Sequence, residues 1–358
     1  MVGVGTLATG VTAEVDASGT VHQGSLRLGW CVRSGSDWLV PGRDGPARRS
    51  RPHAAPVVQT ALRIAGGDAI ERVYAVGEGD DGIVVVEVEN DSPEAIAVAF
   101  VVDAPGVVAV EPTGVLVDGV RVVAFARRPG AVESDNRLVF PVPHRTTVRV
   151  ALTGAPVDVR ALPAADAVGR AWDRVLDRGL RTELPEPLQS EVDAARADLL
   201  LAPPSADVFA TLEAWGLDAE AVEMWARLPT RARRAARRMR GAGLLGETRA
   251  ALVREEGRAI EVLPGFRVAW LGVPIAAHGV PLRHGLCSLA LRWHGARPAL
   301  LWEAPIGSTV RAPALDPTWS SNEPVGETLL AEPAPALLSM GEPAALRGTS
   351  VDAPDQFS

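Results

Sequence analysis

GGDAIERVYAVGEGDDGIVVVEVENDSPEAIAVAFVVD, residues 66–103, decides the reading of the first half of this chain. Three runs rich in β-branched residues, 69–76, 82–90 and 95–103, are each strand-length and are separated by Gly, Asp, Asn and Pro, the pattern of consecutive antiparallel strands. In the middle run Val84, Val86 and Val88 share one face and Val85, Glu87 and Glu89 the other, so one face belongs to a core and the other is expected to be partly wet. The intervening GEGDDG matches G-x-G-x-x-G at Gly77, Gly79 and Gly82. A dinucleotide fingerprint needs a helix after its glycines, so that amides meet the pyrophosphate; a strand follows here, and the segment reads as a hairpin turn.

Working outward, the runs 26–32, 57–64, 120–126 and 146–152 repeat the same texture, and residues 1–155 are predicted to form an antiparallel β-sandwich. PGRDGPARRSRPH (41–53) breaks the rhythm with four Arg and three Pro and is expected to be a long exposed loop. From Asp166 the apolar period lengthens. AADAVGRAWDRVLDRGL places Val168, Trp172, Val175 and Leu176 on one helical face, while Asp173 and Asp177 beside Arg174 and Arg178 read as surface charge pairing. Ser205 and Asp218 are expected to cap the next helices, and Gly216 and Pro229 to end them. The predicted helical block spans 160–257, as about six short helices. Strand texture returns over 258–335, where His294-Gly295 followed by Ala296 suits a tight hairpin. Residues 336–358 are polar and Pro-rich and are expected to be a flexible tail. The fold class is therefore α+β and multidomain: an N-terminal antiparallel β-sandwich, a short α-hairpin block and a C-terminal antiparallel β domain.

Composition excludes several functions. The net charge of −8 over 358 residues argues against general nucleic-acid affinity. All 36 basic residues are Arg, a bias that weakens any single Arg as a sign of bidentate recognition. The Arg-rich stretch 230–241 lacks interleaved aromatics and reads as a solvated helix. Cys31 and Cys287 lie in separate β domains and are expected to be free thiols of a cytoplasmic protein. No apolar run is long enough for a membrane span, and the N-terminus lacks the pattern of a signal peptide. The six histidines show no metal-ligand spacing, and no serine-hydrolase elbow is present. No cofactor or metal is expected.

Nine Trp against one Tyr are the unusual feature. An indole suits both sugar stacking and core packing. Trp302 alternates into a core face, whereas Trp319 lies in LDPTWSSNEP, read as a polar loop with Asp316 and Glu323 close by. Trp30 and Trp38 flank the turn CVRSGSD. Trp319, Trp30 and Trp38 are the ligand-contact candidates, against the simpler reading of loop anchors. Glu303, Asp316 and Glu323 are the candidate carboxylates for glycoside hydrolysis, which needs two such groups on opposite sides of the scissile bond. No sequence argument fixes their separation.

With those residues in view, the chain resembles the six-hairpin glycosidases. The resemblance is carried by residues 66–103, by ELPEPLQSEVDAARADLLLA and by GLCSLALRWHGARPALLWE; it lies in architecture, without a diagnostic motif. It implies an N-terminal supersandwich, a toroid of paired helices and a closing β domain. A full toroid needs about twelve helices of roughly 10–14 residues, so the block here is too short for one. The resemblance therefore implies a glycosidase-like protein of carbohydrate metabolism that is non-catalytic or glycan-binding. Two other readings stay open: an active carbohydrate-processing hydrolase with its site between β domains and helices, and a protein-interaction scaffold. The partners considered are accordingly a carbohydrate ligand or a protein, with no nucleic acid and no membrane.

Overall fold

The computed structural model describes residues 1–7, 9–77, 82–236, 239, 241 and 243–333. Residues 78–81 of the GEGDDG turn, Arg237, Arg238 and Arg240 of the Arg-rich stretch, and the expected tail 336–358 lie outside the described residues. The fold is α+β, with mainly antiparallel sheets and six helices among the described residues. The chain divides into two compact units, residues 1–177 with 193–208, and residues 178–192 with the chain from 209 onward.

The first unit holds two eight-stranded antiparallel sheets. At the centre of one, the strand Ile96–Asp103 pairs with both Leu26–Arg33 and Arg137–Val142. At the centre of the other, Ile83–Asn90 lies between Gly67–Val76 and Thr147–Leu152. The register joins Val76 to Ile83, so the glycine-rich segment connects a hairpin and is followed by a strand. One hydrophobic core draws on both sheets, with Leu28, Phe100 and Phe140 from the first and Leu62, Val73, Val84 and Val150 from the second. Phe140 meets Phe100 and Phe125 edge-on, with ring centroids 5.9 and 5.8 Å away.

Two expectations need correction here, for identifiable reasons. The face of Val85, Glu87 and Glu89 is wet only at Glu89, which is partly exposed; Val85 and Glu87 are buried. Residues 157–165 cover it, because Arg149 donates to Glu87 Oε2 from Nε (3.1 Å) and Nη2 (2.8 Å) and to Leu162 O from Nη1 (2.9 Å). The Tyr74 hydroxyl lies 2.9 Å from Pro163 O and 3.1 Å from Glu87 Oε2. The segment 41–53 is not a continuous loop either. Ala47–Ser50 forms an edge strand on Val58–Ile64, and an edge tolerates the charged side chains that hid it in the sequence.

The helix α1 (Ala165–Leu176) buries Ala165, Gly169, Trp172 and Leu176. Among the described residues Asp173 makes no ion pair along its own helix. Its Oδ2 lies 3.2 Å from His53 Nδ1, and Asp166 Oδ1 lies 3.9 Å from His53 Nε2. The helices α2 (Leu188–Leu201) and α3 (Ala206–Ala214) follow. Ser205 caps α3 as expected, its Oγ accepting the Val208 amide at 3.1 Å.

In the second unit, α4 (Asp218–Arg227), α5 (Thr230–Ala236) and α6 (Gly243–Leu252) precede most of the strands. Asp218 is not the cap of α4 but its first residue; Leu217 holds the cap position without a side-chain bond. A five-stranded antiparallel sheet runs in the order Arg181–Glu183, Ile275–Leu282, Gly285–His294, Arg297–Glu303, Val325–Leu329. Gly295, at φ +63, makes the expected hairpin turn, with His294 paired to Arg297. A four-stranded sheet joins Val253–Glu256, Ala259–Val262, Thr309–Ala312 and Asp316–Ser321. Its central pair, Ala259–Val262 with Thr309–Ala312, is parallel, so the C-terminal β region is not wholly antiparallel. The strands Arg181–Glu183 and Val253–Glu256 fall inside the stretch expected to be purely helical.

Candidate functional site

Glu213 and Asp218 stand at the two ends of one tight corner. Helix α3 ends in Gly216 at φ +69, a left-handed conformation that glycine adopts without Cβ strain. The Leu217 amide reaches back to Leu212 O at 3.0 Å and the Gly216 amide to Glu213 O at 3.1 Å, closing a Schellman motif that starts α4 at Asp218. Trp215 pins the corner: it is fully buried, and its Nε1 donates to Leu245 O at 3.2 Å. The Leu180 amide donates to Trp215 O at 2.8 Å. At Gly179 a Cβ would stand 2.4 Å from that same oxygen.

This corner opens into a cleft of about 550 Å³ lined by Phe209 and Glu213 from α3 and by Asp218, Ala221, Val222 and Trp225 from α4. Phe209 and Glu213 are four residues apart, and Asp218, Ala221, Val222 and Trp225 follow the i, i+3, i+4, i+7 spacing of one helical face. The rings of Phe209 and Trp225 meet at 4.9 Å with a 47° tilt. The Arg233 guanidinium lies 5.6 Å from the Trp225 ring and donates from Nε to Trp225 O and from Nη2 to Ala226 O, each at 3.0 Å, so the indole is braced. Burial, together with the charge of Asp218, raises the Glu213 carboxyl above the usual carboxylate range. The cleft therefore joins a fixed aromatic wall to two carboxyl groups, of which Glu213 is shifted toward its protonated form. It can donate and accept hydrogen bonds beside an apolar face, the combination a sugar ring needs.

The residues singled out in the sequence lie elsewhere. Trp319 is half-buried, with its ring edge-on to Trp302 at 5.1 Å, and belongs to the strand Asp316–Ser321 where a loop was expected. Trp302 is buried and donates from Nε1 to Glu323 O at 2.9 Å. Glu303 follows Trp302 on the same strand and so points to the opposite face of the sheet, where it is exposed. Asp316 accepts from Thr318 Oγ1 (2.7 Å) and Thr318 N (3.0 Å). The Thr318 hydroxyl leads in holding the Asp316 carboxyl below the usual carboxylate range, which unfits it as a proton donor. Trp30 is packed into the core of the first unit, its Nε1 donating to Ser18 O at 3.1 Å. Trp38 is half-buried, with the guanidinium groups of Arg33 and Arg137 at 4.9 and 5.4 Å from its ring.

Both cysteines are buried and free. Burial pushes the Cys31 thiol up to about 11 and the Cys287 thiol up to about 12, so both remain protonated at neutral pH. Among the described residues no cluster of three or more His, Cys, Asp or Glu is arranged to hold a metal ion. Nor, among them, is any helix long and apolar enough to cross a membrane. No known protein family, curated protein or solved structure matches the chain.

Proposed function

We propose that this is a saccharide-binding, glycosidase-like protein without hydrolytic activity, acting in the cytoplasm. The Phe209–Trp225 cleft with Glu213 and Asp218 carries the reading. Aromatic surface next to two carboxyl groups is the pairing that stacks on a sugar ring while exchanging hydrogen bonds with its hydroxyls. Two further features support it. Sheets bracketing a short helical stretch fit the β-sandwich, helix, β-domain order of the six-hairpin glycosidases. The two carboxyls also flank a single four-residue corner, so they approach a ligand from one wall; glycoside hydrolysis asks for an acid and a base or nucleophile on opposite sides of the bond.

Titrating the full chain with a panel of neutral and acidic mono- and disaccharides, read by tryptophan fluorescence and by heat, tests the reading. Binding that Trp225→Ala and Glu213→Gln each weaken about tenfold or more, with no release of sugar from aryl glycosides, is the expected result. Silence across the whole panel would refute it, and turnover abolished by Glu213→Gln would move the protein to the active hydrolases.

A further inference from the structure

Glu213 lines two clefts. Beside the aromatic one lies a second, of about 710 Å³, whose charged lining is completed by Arg249, Arg254, Glu255 and Arg283. These residues come from three elements in two stretches of the chain: Arg249 from α6, Arg254 and Glu255 from the strand Val253–Glu256 that directly follows it, and Arg283 from the turn after Ile275–Leu282. Convergence from three elements matters in a chain whose basic residues are all Arg, where a single guanidinium says little.

Each group is held differently. Arg249 donates from Nη2 to Pro281 O at 2.7 Å and from Nη1 to Val253 O at 3.4 Å, which fixes its guanidinium at the cleft wall. Arg254 Nη1 lies 3.3 Å from Glu261 Oε2 with its side chain half exposed. The Glu255 carboxylate accepts the Arg283 amide, both oxygens at 3.2 Å, and so anchors the turn that carries Arg283. The Arg283 guanidinium is exposed and makes no ion pair among the described residues. Three guanidinium groups and two carboxyls line the cleft, and Arg254 is paired with Glu261, which lies outside that lining.

We propose that the two clefts form one site for an acidic saccharide. The sugar ring lies on the Phe209–Trp225 side of Glu213, and its carboxylate, sulfate or phosphate group is held on the other side by Arg283 and Arg254, above the fixed charge of Arg249. An exposed planar guanidinium on an anchored turn can take two anion oxygens at once, and binding by it weakens as salt screens the pair. The inference rests on the saccharide reading of the aromatic cleft and adds the charge of the ligand to it.

The test uses the full chain and calorimetry with five probes: a neutral disaccharide, a uronate-containing disaccharide, a sulfated disaccharide, a hexose phosphate and inorganic phosphate alone. At least one acidic saccharide should bind about tenfold or more tightly than the neutral one. That preference should collapse in about 0.5 M NaCl and in Arg283→Gln, while neutral binding is unchanged. Arg254→Gln, also at an exposed position, should reduce the same preference and guards against a local effect of one variant. A neutral sugar binding as tightly as every acidic one, or a preference that survives both substitutions, overturns the arginine role and leaves the saccharide reading standing. Inorganic phosphate binding as tightly as the hexose phosphate overturns the joined site, since the ring then adds nothing. Failure of every saccharide removes both.

Discussion

Gly19 covers the carboxyl of Glu71 so closely that a Cβ at position 19 would stand 2.0 Å from Glu71 Oε2. Glu71 is 1% exposed and shares the inner face of its strand with Ala69 and Val73. The Asp16–Thr20 turn closes over it, ordered by Asp16 Oδ1, which accepts from Ser18 N, Ser18 Oγ and Thr20 N at 2.8, 2.6 and 3.0 Å. Burial, reinforced by the charge of Asp16, holds the Glu71 carboxyl well above the usual carboxylate range.

The folded state keeps a proton that the unfolded chain releases near the ordinary carboxylate pKa, so this stabilisation is full below that pKa. It is lost as pH rises toward the folded pKa, by about 1.4 kcal/mol per pH unit. Glu71→Gln should remove that slope and make the protein more stable than wild type at pH 8 but not at pH 4. Urea denaturation across pH 4–8 measures it; parallel curves for the two proteins would contradict the assignment. Gly19→Ala, at φ +88 and in contact with the carboxyl, should cost more than about 1 kcal/mol at any pH.

The Glu87–Arg149 pair predicts a non-additive result. Glu87 and Arg149 have side chains 6% and 18% exposed, and the bond seals residues 157–165 onto the sheet. Removing one partner leaves a buried charge, so Glu87→Leu or Arg149→Leu alone should cost about 3–5 kcal/mol. The double replacement should cost less than either single change, because no charge is left unpaired. Additive losses in chemical denaturation would show that the pair is not what holds this face.

His53 and Gly169 predict a reversal. A Cβ on Gly169 would stand 2.3 Å from His53 Cδ2, so the imidazole lies directly on the α1 backbone. Gly→Ala within a helix normally stabilises by up to about 1 kcal/mol. Here it should destabilise, by displacing His53 from Asp173, and in a His53→Ala background the same substitution should stabilise. Thermal melts of the three variants decide the point, and a stabilising Gly169→Ala in the wild type would refute the contact.

What was legible in the sequence was what local chemistry controls. The β-branched runs, the His294-Gly295 hairpin and the Ser205 cap each follow from residues within four positions of one another. The edge strand Ala47–Ser50 was not, because an edge position accepts Arg and Ser and leaves no apolar alternation to read. The burial of Glu87 depends on a segment more than sixty residues away. The aromatic cleft left a trace: Asp218, Ala221, Val222 and Trp225 form one helical face that mixes an acid with an indole. That trace could have been read, but an aromatic at helical spacing ordinarily packs into a core, and the corner joining α3 to α4 is what opens the face instead.

Trp319 and Trp225 predict opposite outcomes. Trp319 leans on Trp302, and Trp302 lies across Gly326, where a Cβ would stand 2.3 Å from its Cζ2. The indoles and the strand Val325–Leu329 thus form one packed stack, so Trp319→Ala should cost about 2 kcal/mol, less than the loss of a fully buried Trp because Trp319 is partly exposed. It should leave saccharide affinity unchanged. Trp225→Ala should do the reverse in kind: a smaller loss of stability, through the contact with Phe209, and an affinity reduced about tenfold or more. Melts and titrations on both variants measure the four quantities. If Trp319→Ala abolishes binding while Trp225→Ala does not, the ligand belongs at the Trp302–Trp319 stack and the α3–α4 cleft is only a groove in the surface.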